Sequence, residues 1–216
     1  MHTIREQLEK IKIVPVVAIE ECGNANNLAD ALVEGKLPCA EITFRTSTAA
    51  DSIRIMAKRG DILVGAGTVI TVSQAKQAVD NGAKFIVSPG FVPKVVEYCV
   101  DNHIPVLPGI CTPSELCMAL EYSLSVVKFF PAEAYGGLKT LKALSAPFAN
   151  MRFVPTGGID STNVSDYLNF KKVIACGGSW MVKSEMISEQ KFDEIAKLTL
   201  EASSIVEKIL KKESVK

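Results

Sequence analysis

Apolar residues in this chain gather into short runs rich in β-branched side chains, at 14–19, 39–44, 62–65, 85–87, 104–107, 126–130, 153–155 and 173–176. The runs are nearly continuous rather than alternating with polar positions, which is the pattern of strands covered on both faces. Between them the period shifts to that of amphipathic helices, with no linker or low-complexity stretch. Strand–helix units in unbroken series predict a parallel α/β sheet. Eight of them favour a closed (β/α)₈ TIM barrel over an open doubly wound sheet. A single domain over residues 1–216 is expected.

The helices are marked at their ends. Thr112-Pro113-Ser114-Glu115 combines an N-cap threonine, a proline at the first helical position and a glutamate that can close a capping box. Thr71-Val72-Ser73-Gln74 repeats the box with glutamine. Gly35, Gly60 and Gly82 each follow a helical segment, where a left-handed closing residue is expected. Ahead of the first run, Ile4, Leu8 and Ile11 share one helical face, which predicts an extra N-terminal helix plugging the barrel bottom. A long final helix is expected around 190–211.

Composition narrows the class of function. Hydrophobic residues make up 48% of the 216, enough for a buried core, and the formal net charge is +0. The arginines at 5, 45, 54, 59 and 152 are scattered, so no basic stripe points to nucleic acid or an acidic membrane surface. No run approaches the roughly 18 apolar residues a bilayer span needs. The N-terminus reads as amphipathic rather than as a signal region. The six cysteines include no Cys-x-x-Cys pair, and with two histidines a metal site is not expected. Cytoplasmic location with reduced thiols follows.

In a barrel of this type chemistry sits at the C-terminal ends of the strands, and the unusual residues fall there. On the second run Glu41, Thr43 and Arg45 share one face and Ala40, Ile42 and Phe44 the other. At roughly 3.3 Å per residue the polar row climbs about 13 Å. Facing the helices it would bury two charges in an apolar layer, whereas the barrel interior opens to solvent, so the interior assignment is favoured. On the sixth run Lys128 is flanked by valines and phenylalanines. Burying an ammonium is costly and favours the neutral amine, the nucleophile of a Schiff base. A structural ion pair inside the barrel is the alternative for both Lys128 and the Glu41 row.

The last two runs end in Pro155-Thr156-Gly157-Gly158 and Cys176-Gly177-Gly178-Ser179-Trp180. Paired glycines let backbone N–H groups approach an anion, and strands seven and eight are the usual phosphate site of such barrels. Ser179 can add a hydroxyl at the start of a short helix. Gly65-Ala66-Gly67-Thr68 and Ser88-Pro89-Gly90 end the third and fourth runs, with Thr68 able to donate into the mouth.

Together, Glu41-Ile42-Thr43-Phe44-Arg45-Thr46, Val64-Gly65-Ala66-Gly67-Thr68-Val69, Ser88-Pro89-Gly90, Lys128-Phe129-Phe130-Pro131-Ala132-Glu133, Pro155-Thr156-Gly157-Gly158 and Gly177-Gly178-Ser179-Trp180 resemble the 2-keto-3-deoxy-6-phosphogluconate (KDPG) aldolase family, also active on 4-hydroxy-2-oxoglutarate (KHG). The resemblance implies a class I aldolase without metal or cofactor, usually a homotrimer, acting on small 2-keto acids and phosphosugar acids. It implies that Lys128 forms the imine and that Glu41 is the general acid–base. Arg45 and Thr68 would hold the α-keto carboxylate. Phe130 and Pro89 would shape the wall, with Thr43 close by, and Gly157, Gly158, Gly178 and Ser179 would hold the phosphate. The Phe-Phe-Pro-Ala-Glu wording favours the gluconate form over its galactonate sibling. Cys111 stands where a serine is expected.

Two rivals share the glycine ends. One is another phosphate-binding barrel enzyme, such as a thiamine-phosphate or indole-glycerol-phosphate synthase, which has no need of a buried strand lysine. The other is a phosphosugar-binding module that performs no reaction, and the chain shows nothing resembling an appended partner domain.

Overall fold

The computed structural model describes residues 3–213, with side chains over 3–211, so both tips of the expected 1–216 domain lie outside the described residues. Strands β1 (Ile13–Val17), β2 (Cys39–Thr43), β3 (Leu63–Gly67), β4 (Ile86–Val87) and β5 (Val106–Leu107) are followed by β6 (Gly109–Ile110), β7 (Val126–Phe129), β8 (Arg152–Pro155) and β9 (Cys176–Gly178). All pair in parallel, as a six-stranded sheet ordered β5-β4-β3-β2-β1-β9 and a three-stranded sheet ordered β6-β7-β8. The fold is α/β with helices between the strands. No helix among the described residues is long and apolar enough to cross a membrane.

Two strands differ from expectation. The fifth run, 104–107, yields only β5, and a further short strand that no run marked, β6, follows Pro108, which has no N–H to give to a ladder. The chain changes neighbours there: Val106 and Leu107 pair with Ile86 and Val87, Gly109 and Ile110 with Lys128 and Phe129. The eighth run pairs later than expected. Val173 makes only an isolated bridge to Phe153, while Cys176, Gly177 and Gly178 pair with Ile13, Val14 and Pro15. The second glycine pair is therefore strand rather than the turn after it.

Opposite faces of each strand go to different layers. Ala40, Ile42, Val127 and Phe129 pack outward with helix residues such as Leu28, Ile53, Leu116 and Leu141. Cys39, Val14, Phe85, Val87, Leu107, Val154 and Ile174, drawn from both sheets, form an inner cluster. The expected N-terminal helix, Ile4–Ile11, lays Leu8 into that cluster with Ile4 and Ile11 beside it. Its start is fixed by a capping box between Thr3 and Glu6.

The boxes at Thr71 and Thr112 form as the sequence predicts. Gly60 and Gly82 take positive φ, but Gly35 does not, with φ −71°. Lys36 occupies the left-handed position instead. Gly35 is small for another reason: a Cβ there would lie 2.4 Å from Thr199 Cβ on the final helix, Phe192–Glu213.

Leu8 is 1% exposed, whereas Leu200 on the final helix is 43% exposed. Leu8→Ala should cost about 2–5 kcal/mol in urea denaturation, since it removes buried contacts and leaves a cavity. Leu200→Ala should stay within about 0.5 kcal/mol of the parent. Equal costs would mean that the N-terminal helix does not close the inner cluster.

Candidate active site

The parity seen on β2 places Glu41 and Thr43 on the inner face with Cys39, and both are buried. On β7 Val126 faces the inner cluster and Val127 and Phe129 the outer one, so Lys128 points inward. The two strands bring Lys128 Nζ to 3.1 Å from Glu41 Oε1, across 87 positions of sequence. Lys128 is 6% exposed and Glu41 3%. The neighbouring strand makes the room for the carboxylate. A Cβ on Gly67 would sit 2.3 Å from Glu41 Oε1, so only glycine leaves that volume free. Lys128 Nζ also lies 5.3 Å from the centre of the Phe130 ring, within cation–π range.

Above the pair, Thr43 Oγ1 donates to Val17 O at 2.8 Å and accepts from Arg45 Nε at 3.1 Å. The threonine thereby fixes the guanidinium at the cavity wall. Thr68, just past β3, holds φ 56°. A non-glycine residue in that region stores roughly 1–3 kcal/mol of backbone strain. Pro89 sits in a turn closed by the bond from Ser88 Oγ to Gly90 O at 2.8 Å.

At the other side Gly157 and Gly158 have φ 100° and 74°, a conformation glycine adopts without steric cost. Gly178 lies under the Trp180 ring, where a Cβ would come within 1.9 Å of a ring carbon. Ser179 does not begin a helix. Its carbonyl accepts from Val182 N at 3.0 Å in a turn, and the short helix starts later, at Ser184–Ser188.

All eleven sequence-derived positions line one cavity of about 290 Å³: Glu41, Thr43, Arg45, Thr68, Pro89, Lys128, Phe130, Gly157, Gly158, Gly178 and Ser179. Val16, Thr156, Ile159 and Gly177 line it as well. Thr156 is the notable addition, because its buried hydroxyl has no hydrogen-bond partner among the described residues. Its parity with the inward-facing Val154 was the available signal. Cys111 does not line the cavity. Its N–H donates to Glu115 Oε2 at 2.8 Å, and burial together with the Glu115 charge pushes its thiol up. A second cavity, about 210 Å³, lies between the N-terminal helix and Val106, Leu107 and Val126. Arg5 is its only charged lining residue among the described residues, so no acid–base pair of those residues meets there.

The first cavity thus joins a buried amine and carboxylate to an arginine at one side and to a glycine turn and a glycine strand end at the other. Comparison with known proteins agrees with such a site. Residues 4–198 match the family described as KDPG and KHG aldolase. The chain is 46% identical over 207 residues to the 2-dehydro-3-deoxy-phosphogluconate aldolase of Treponema pallidum (strain Nichols), covering 95% of this chain and 99% of that protein. It is 42% identical over 191 residues to the KHG/KDPG aldolase of Escherichia coli K12, covering 88% and 90%. KDPG aldolase from Legionella pneumophila, solved with pyruvate captured at low pH as a covalent carbinolamine intermediate, matches with a TM-score of 0.88. That likeness covers 92% of this chain and 97% of that one at 37% identity. The chain belongs to the KDPG and KHG aldolase family.

Proposed function

We propose that this chain is a class I aldolase that cleaves KDPG to pyruvate and glyceraldehyde 3-phosphate, and KHG to pyruvate and glyoxylate. The observation that carries the reading is the buried 3.1 Å contact between Lys128 Nζ and Glu41 Oε1 at the inner end of the cavity. The amine attacks the C2 ketone, and loss of water from the carbinolamine gives a protonated imine. Glu41 accepts the C4 hydroxyl proton as the C3–C4 bond breaks, and the bonding pair moves into the imine to form an enamine. The aldehyde leaves. Glu41 returns a proton to C3, and water hydrolyses the new imine to release pyruvate and the free lysine. The imine is the electron sink, so the steps require neither metal nor cofactor.

The remaining residues divide between the substrate's ends. Arg45 and Thr68 bind the α-keto carboxylate, the guanidinium as a charge-assisted donor. Phe130, Pro89 and Thr43 shape the wall. Gly157, Gly158, Gly178 and Ser179 receive the phosphate. The two sheets are the arcs of one closed eight-stranded barrel within a single domain. The bridges Phe153↔Val173 and Thr156↔Gly177, and an inner cluster drawn from both sheets, support that closure. The assembly is a homotrimer, to be read in solution as three times the chain mass. The singly buried free thiols of Cys39, Cys99 and Cys176 suit a reducing cytoplasm.

Lys128→Arg keeps a charge beside Glu41 but cannot supply a neutral amine. Loss of kcat by more than about 10³-fold, with an unchanged circular dichroism spectrum, is expected. Near-parent turnover would remove the Schiff-base reading.

A crossed pair of variants tests the orientation. Ser179→Ala should lower kcat/KM for KDPG about ten- to a hundredfold, the worth of one hydrogen bond to a charged group, and leave KHG nearly unchanged. Arg45→Ala should impair both substrates, since both carry the α-keto carboxylate. Equal losses for the two substrates in Ser179→Ala would show the orientation to be wrong.

A further inference from the structure

The turn that ends β8 is gripped from behind. Thr156 O accepts from Ala132 N at 2.8 Å, Gly157 O from Glu133 N at 3.0 Å, and Gly158 O from Asn163 Nδ2 at 2.9 Å. These peptides are trans, and in a planar trans peptide the N–H points opposite to the carbonyl. Fixing the carbonyls of Gly157 and Gly158 therefore turns the N–H groups of Gly158 and Ile159 to the other side of the turn. That side is the cavity, which both residues line. Successive N–H groups facing one hollow form an anion-binding nest.

The grip is itself secured. Asn163 Oδ1 accepts from Asp160 N at 3.0 Å, so one amide side chain spans the turn from Gly158 to Asp160. Tyr167, fully buried on the helix Val164–Leu168, donates its hydroxyl to Glu133 Oε1. Burial, then the bond to Glu133, pushes the phenol further up from a value already above neutrality, so it stays a donor. The root of the Glu133 side chain presses on the turn: a Cβ on Gly158 would lie 2.6 Å from Glu133 Cβ.

We propose that Asn163 and Tyr167 are positioning residues for the phosphate end of the substrate. Asn163 aims the Gly158–Ile159 peptide directly, and Tyr167 acts through Glu133 on the peptide before it. Neither side chain lines the cavity, so both work through the backbone they hold. The inference rests on the reading that this turn receives the phosphate.

The test compares Asn163→Ala and Tyr167→Phe with the parent on KDPG and KHG, and measures competitive inhibition of KDPG cleavage by inorganic phosphate. The KM for KDPG should rise about tenfold in each variant, the order of one mis-aimed hydrogen bond to a charged group. Its kcat should hold, KHG kinetics should stay within about twofold, and phosphate should inhibit more weakly by the same factor as the KM rise. A merely structural role would lower both substrates together. That result, or unchanged KM and phosphate inhibition, overturns the inference. Tyr167→Phe keeps the packed ring, so it remains informative if Asn163→Ala is unstable. Ser179→Ala, run alongside, separates the two layers of the account. If it discriminates between substrates and the other two variants do not, only the positioning role falls. If it does not discriminate either, the phosphate assignment falls and takes the positioning role with it.

Discussion

An amine and a carboxylate held 3.1 Å apart and almost wholly out of water set the terms for this molecule. A lone buried charge costs several kcal/mol, and the attraction between partners offsets that cost only when their geometry is good. The partners come from β2 and β7, which belong to different sheets. Their relative placement therefore has to be fixed by everything that packs around them. The outer layer presses the helices on the strands, and the inner cluster under Leu8 fills the space beneath the pair. Gly67 leaves the space the carboxylate fills. The same dry surroundings hold the two side chains within hydrogen-bond reach of each other.

The rest of the cavity is arranged around that pair. At one side Thr43 ties Arg45 to the end of β1 through Val17 O. At the other, the chain leaving β7 passes through Pro131 to Glu133 and there grips the turn ending β8. The strand that carries Lys128 and the turn proposed to receive the phosphate are thus linked within five residues of Lys128. Moving one relative to the other would break main-chain bonds. A substrate that spans both meets a cavity whose length is already set.

Much of the site could be read from spacing. The inward row Glu41, Thr43 and Arg45 follows from strand parity and the cost of facing charges to an apolar layer. Lys128 stands out because its neighbours in the run are apolar. What escaped depends on contacts between distant segments. The short strand after Pro108 shows only in its pairing with β7, whereas β5 before it pairs with β4. Gly35 is small because the final helix lies against it, not because it turns left. Ser179 begins a turn whose helix starts five residues later. Tyr167 and Glu133 meet across 34 positions, and nothing local in either segment announces the bond.

The most direct measurement is to incubate the protein with pyruvate and borohydride, then map the modified peptide by mass spectrometry. Reduction fixes an imine as a stable secondary amine. One reduced pyruvate on Lys128 alone, absent from Lys128→Arg, is the result expected from a buried nucleophilic amine. Unmodified protein, or pyruvate spread over the exposed lysines with Lys128 untouched, would contradict it.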